Sequence, residues 1–209
     1  MLTDQLTSAT LGVMLDAAAA APVLHVPRLW RLDVNGHLLD IFLDDESRST
    51  VDPVARIQRI ATGAAMFNLR CAAASLGYDS WISLYPYPSE PALAARILVE
   101  PTGLPDHELQ QLYTAILSRG LTRPAMPPGQ EVRHLLERAA AIEDAHLTWL
   151  PIGSLATVVT HGGERADQVR AGIALERVLL TATSRDVRAE CLSYTLIRFG
   201  ERTATRRLP

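Results

Sequence analysis

The chain has 209 residues, of which 48% are hydrophobic and 21% charged, and its net charge is -3. That composition builds a folded core, and a chain of this length buries roughly 70% of its unfolded surface without needing disulfide staples. The negative balance gives no general attraction for phosphate backbones or anionic membranes, so no nucleic-acid or membrane partner is expected.

All 20 basic residues are arginine, which excludes Schiff-base and lysine-nucleophile chemistry. Asp4 stands where a signal peptide would carry positive charge, and no run reaches the ~18 apolar residues of a membrane span. Cys71 and Cys191 sit in apolar surroundings without CxxC spacing and read as reduced core residues. A cytoplasmic location is expected.

Taken in chain order, an alanine-rich helix is predicted over 4–20, followed by APVLHVPRLWRLDV. Strands follow over 28–34 and 38–43, turned by Asn35-Gly36, a strong hairpin signal. A helix over 54–76 keeps Ile57, Ile60, Ala64, Phe67, Cys71 and Ala74 on one face and ends at Gly77. Strands over 80–85 and 95–99 flank the loop PYPSEP, and PTGLP then leads into a helix over 106–118 with Gly120 beyond its end. After PAMPPG come a helix over 130–142, strands over 146–151 and 154–160, a helix over 166–183 and a strand over 191–199. The fold class is α+β, a mixed sheet flanked by helices.

Residues 63–77 repeat faintly in 172–186: Gly63 matches Gly172, Ala65 matches Ala174, Ala73 matches Ala182 and Ser75 matches Ser184. An alanine-rich helix also precedes each of Trp30 and Trp149, two expected core anchors. The chain therefore divides into two related halves, 1–110 and 111–209, packed as one unit. Glycine inside a helix costs about 1 kcal/mol relative to alanine, so a glycine at the same place in both helices predicts a close backbone approach.

Among chemical motifs, the six histidines show no HExxH or HxH spacing, and no metal site is expected. THGGERAD at 160–167 has no G-x-S-x-G partner, which argues against a hydrolase; neither G-x-G-x-x-G nor a Walker motif is present. Asn68, polar on an otherwise small and apolar helix, reads as a buried structural hydrogen-bonder.

The alanine helix running into APVLHVPRLWRL, together with DPVARIQRIATGAAMFNLRCAAASLGYD, LYTAILSRGLTRPAM and DQVRAGIALERVLLTATS, resembles the flavin-binding nitroreductase-fold family. The likeness is closest to its Acg-type branch, in which two nitroreductase halves are fused on one chain. The resemblance implies a nitroreductase-like sheet, an FMN cofactor and hydride transfer from NADH or NADPH to a small acceptor. It also places the ring-binding half-site at Ala21, Pro22 and Trp30, but Val23, Val26, Arg28 and Leu29 replace the family's other letters there. Valine offers no hydrogen bond, so ring contacts fall to backbone amides, His25 or Arg28.

On the phosphate side the resemblance implies a grip by Arg119 and Arg123 with Thr122 between them, and Arg206 or Arg207 as a third cation beside Thr203 or Thr205. Paired guanidiniums chelate phosphate through several charge-assisted bonds. Arginines at a helix end also serve to satisfy its last carbonyls, and that reading of Arg119 and Arg123 stands beside the first. The family's lid insert near residue 150 is missing, so a second copy of the chain, a homodimer, is expected to cover the flavin. The alternative reading is a non-catalytic binding protein, flavin-storing or flavin-free, with a degenerate ring site.

Overall fold

A computed structural model describes residues 6–22, 30–43, 51–119, 121, 126–151 and 154–200. The element order is α1 (Ser8–Ala19), β1 (Trp30–Asn35), β2 (Leu38–Leu43), α2 (Pro53–Ser75), β3 (Tyr78–Leu84), β4 (Leu93–Pro101), α3 (His107–Leu117), α4 (Gln130–Ile142), β5 (Ala145–Trp149), β6 (Leu155–Thr160), α5 (Arg165–Ser184), β7 (Ala189–Ser193) and β8 (Leu196–Phe199).

Local chemistry sets the helix starts. The Thr7 hydroxyl accepts from the Thr10 amide at the head of α1, and Asp52, followed by Pro53 at the first helical position, accepts from the Val54 and Ala55 amides. Asp106 caps α3 in the same way, and Glu164 with Asp167 forms a capping box at α5. Each cap satisfies amides that the first turn leaves open. Gly77, with φ 83°, closes α2 in the left-handed conformation that a residue with a Cβ resists. At the β1–β2 turn, Gly36 and His37 are the two turn residues, and only Gly36 takes a positive φ. His37 instead ties the turn to β4 through a 2.7 Å contact between its Nδ1 and the Val99 carbonyl.

The α+β class holds in a particular form. Rather than one mixed sheet, the described strands form two four-stranded antiparallel sheets with matching orders, β1-β2-β4-β3 and β5-β6-β8-β7. The expected single strand over 191–199 is a hairpin, because Tyr194 takes φ 46° and turns the chain back at Thr195. No glycine, proline or asparagine marks that turn. The Cys191 thiol donates to the Tyr194 carbonyl across it, at 3.3 Å. The tryptophans differ in place: Trp30 opens β1, whereas Trp149 closes β5, where its Nε1 donates to Glu137.

The two long helices α2 and α5 make the most extensive helix–helix contact in the fold and bury most of their residues. They cross at the two glycines of the sequence repeat. A methyl group at Gly63 would lie 2.0 Å from the Val169 carbonyl oxygen, and one at Gly172 would lie 1.9 Å from that of Ile60. Arg59 and Gln168, at equivalent positions of the repeat, hydrogen-bond to each other at 2.9 Å beside this crossing. Each helix also lends residues to the far core. Val169, Ile173 and Leu180 of α5 pack with Met14, Phe67 and Ile97, while Ile60 of α2 packs with Leu136, Val178 and Phe199.

Candidate functional site

Four elements meet where α1 ends. The Ala20 amide closes the last turn of α1 by donating to the Ala17 carbonyl at 3.0 Å, and two side chains from other elements add donors to this end. Asn68, fully buried on α2, donates its Nδ2 to the Ala17 carbonyl at 3.0 Å. Arg119, just beyond α3, donates Nη1 to the Ala20 carbonyl at 3.0 Å and Nη2 to Oε1 of Glu176 on α5. Arg119 thus bonds a helix-end carbonyl, though that of α1 rather than of its own helix.

Glu176 is the unusual member. Its side chain has no exposure, while that of its partner Arg119 is 28% exposed. Its second carboxyl oxygen, Oε2, has no hydrogen-bond partner, and neither does Oδ1 of Asn68. Burial pushes the Glu176 carboxyl up to about 7, against the opposing pull of Arg119 and Asn68. Desolvation outweighs one ion pair here because water cannot reach the carboxylate to share its charge. The site therefore combines a reachable cation with a buried acid that changes charge near neutral pH.

Next on α5, Arg177 lies in a second buried network. Its Nη1 donates to Glu143 at 2.7 Å and its Nη2 to Glu108 at 2.6 Å, and Arg70 shares Glu143 at 3.0 Å. Burial works against the Arg177 charge, but Glu143 and Glu108 outweigh it and hold the guanidinium protonated. This network joins α2, α3, α5 and the end of α4, and Arg70 reaches a surface cleft beside Tyr78 and Asp106. Its work is structural.

Of the site residues proposed from sequence, Arg119 is described. His25, Arg28, Thr122, Arg123, Arg206 and Arg207 lie outside the described residues. Glu176 was not among them. The repeat could have found it, since the register that matches Gly63 with Gly172 sets Glu176 opposite Phe67, a core position with no exposure. Among the described residues, no group of three or more His, Cys, Asp or Glu side chains could hold a metal ion. No described helix is long and apolar enough to cross a membrane.

No family model matches the chain. Two proteins of Mycobacterium tuberculosis, from strains CDC 1551 / Oshkosh and H37Rv, each bear the name "Putative NAD(P)H nitroreductase". Both are 32% identical to this chain over 137 residues, a stretch that covers 63% of this chain and 39% of each relative. A solved structure described as a "putative nitroreductase" from Thermotoga maritima aligns with 86% of this chain and 78% of its own, at 10% identity and a TM-score of 0.45. That last likeness is too distant to carry an argument.

Proposed function

We propose that this chain binds FMN and acts as a nitroreductase-type oxidoreductase, passing a hydride from NADH or NADPH to a small acceptor. The observation that carries this reading is the 32% identity over 137 residues with two proteins named as NAD(P)H nitroreductases. Because the matched stretch is 39% of those relatives, the activity of the whole protein rests on the experiment below.

Arg119 offers a phosphate one suitable group, a planar and partly exposed guanidinium, which would have to outcompete the α1 carbonyl and the Glu176 carboxyl it now serves. Arg123, Thr122 and Arg206 or Arg207 are its proposed companions, and His25 and Arg28 the proposed ring-side groups. Bound flavin would supply the hydride chemistry, while these residues would hold the phosphate and the ring and leave one face open to reactants. A second copy of the chain is proposed to shield that face.

A second reading, a flavin-storing or flavin-free binding protein without turnover, is favoured by one observation. Both terminal nitrogens of Arg119 already serve protein acceptors. The visible spectrum of the purified protein, followed by titration with FMN under fluorescence and then by NADH or NADPH, separates the two. Flavin that binds and is bleached by reduced nicotinamide supports the first reading. Bound flavin that resists bleaching supports the second, and a colourless protein that leaves FMN fluorescence unchanged overturns FMN binding altogether.

A further inference from the structure

Arg119 and Glu176 differ in what each can reach. The guanidinium is partly exposed, so an anion from solvent can approach it; the carboxyl has no exposure and cannot follow. The guanidinium reaches the Ala20 carbonyl with Nη1 and Glu176 with Nη2. A doubly charged phosphate competes with Glu176 for the same positive charge, and a fork of two N–H groups is best used when both point at one anion. Taking the guanidinium away would strand a buried carboxylate, which is among the costliest arrangements a protein can hold.

A proton removes that cost, and the structure has a place for it. Glu176 Oε2 is buried without a partner, and Asn68, whose amide N–H now favours the charged carboxyl, carries in Oδ1 a second buried acceptor without a donor. The Asn68 amide is fixed in this sense by its Nδ2 bond to the Ala17 carbonyl. Two buried acceptors cannot satisfy each other unless one of them carries a hydrogen, and only the carboxyl can take one.

We propose that an anionic group binding at Arg119 displaces Glu176 from the guanidinium, and that Glu176 takes up one proton from solvent as this happens, its Oε2–H turning to Asn68. Anion binding at this corner is then coupled to protonation of a buried acid. The inference rests on the proposed FMN phosphate contact at Arg119, and it adds a regulation of that contact by pH.

The surrounding groups leave Glu176 as the titrating member. Arg119 approaches from the end of α3 and stays charged. Cys71 from α2 and Cys191 from β7 both feel the Glu176 charge, and burial holds each thiol far above neutral pH, that of Cys191 at about 12. Arg177, next on α5, is committed to Glu143 and Glu108, and Arg70 of α2 to Glu143. α1 presents carbonyls here, its Asp16 being exposed. Glu176 already sits near 7 with Arg119 in place, so losing that cation moves it higher and keeps it protonated in the bound state.

The test is calorimetric titration of the full chain with FMN at pH 8, in two buffers of different ionisation enthalpy. At this pH the phosphate group, with its second pKa near 6, is already a dianion and contributes little. The buffer dependence of the heat reports uptake of close to one proton, and affinity weakens about fivefold from pH 7 to pH 8 and steepens towards about tenfold per unit beyond. In Glu176→Gln the amide supplies the missing donor to Asn68, so FMN binds with no proton uptake and nearly constant affinity across that range. FMN binding to the wild-type chain with no buffer-dependent heat overturns the coupling and leaves the FMN reading standing. Absence of any FMN binding overturns both. The wild-type measurement decides without the variant, so a folding defect in Glu176→Gln does not blunt it.

Discussion

Gly63 and Gly172 occupy reciprocal positions at the crossing of α2 and α5: each packs on the carbonyl three residues before the other, Gly63 on Val169 and Gly172 on Ile60. Neither helix has room for a methyl group there, since the obstructing atoms are backbone and cannot rotate away. Gly63→Ala and Gly172→Ala each gain about 1 kcal/mol of helix propensity and lose more to separation of the helices, for a net destabilisation of about 2–3 kcal/mol. Once one alanine has moved the helices apart, the second meets less resistance. The double variant therefore loses clearly less than the sum of the two. Urea unfolding followed by circular dichroism measures all three, and additive losses would show that the glycines do not share one contact.

Glu143 supports a second prediction. It is 11% exposed and holds both Arg70 and Arg177, the latter with only 4% of its side chain accessible. Glu143→Ala strands a buried guanidinium and costs about 3 kcal/mol, as broken buried pairs do. Glu108 is the contrasting partner of the same arginine, 55% exposed. Its replacement by glutamine changes stability by less than about 1 kcal/mol, because solvent already screens that contact. Denaturant midpoints of the two variants should differ accordingly.

The sequence carried the helices well because their signals are local. A glycine at 77 and a 3.6-residue period are each read within one turn or two. The glycine pair was also legible, since a residue that weakens a helix twice at the same place needs a tertiary reason. The sheets were less so. Strand partners are set by how the connections fold back, and nothing in the strands themselves says that β4 inserts between β2 and β3 or that β8 inserts between β6 and β7. The turn at Tyr194 was hidden because a tyrosine supplies the positive φ that glycine usually supplies. Glu176 was missed because ALERVLL reads as an amphipathic helix with its charges outward. In α5 both Glu176 and Arg177 are buried, each neutralised by an opposite charge from another helix that a single-helix pattern cannot contain.

The cysteines are predicted to be inert in the native chain. Thiolates, not thiols, react with alkylating reagents, and burial raises the Cys71 thiol far out of range and that of Cys191 to about 12. Cys71 has no exposed surface, and Cys191 is half-buried with its thiol turned to the Tyr194 carbonyl. Iodoacetamide at pH 8 should leave both unmodified in the native protein and label both after denaturation, as read by intact mass. Rapid native labelling of Cys191 would show that the β7–β8 hairpin opens readily.

Glu176 also makes the stability of the unliganded chain depend on pH, in the sense opposite to that of most paired carboxylates. Its folded value of about 7 lies above the ordinary 4.5, so between those values the folded chain binds a proton that the unfolded chain has released. Stability from this residue is therefore fully present below about 4.5, is lost as pH rises towards 7, and is flat above that. Each unit of difference corresponds to about 1.4 kcal/mol, so the swing attributable to Glu176 is on the order of 3 kcal/mol. Every other titratable group also contributes to the curve, which makes the difference between two chains the useful quantity. Glu176→Gln cannot titrate, yet its amide can donate to Asn68 Oδ1 while its oxygen still accepts from Arg119. Relative to wild type it should gain stability steadily from pH 5 to pH 7 and then hold that gain to pH 8, measured as the difference in unfolding free energy at each pH. A difference that stays constant across the range would mean that Glu176 is already charged throughout, with Arg119 outweighing its burial.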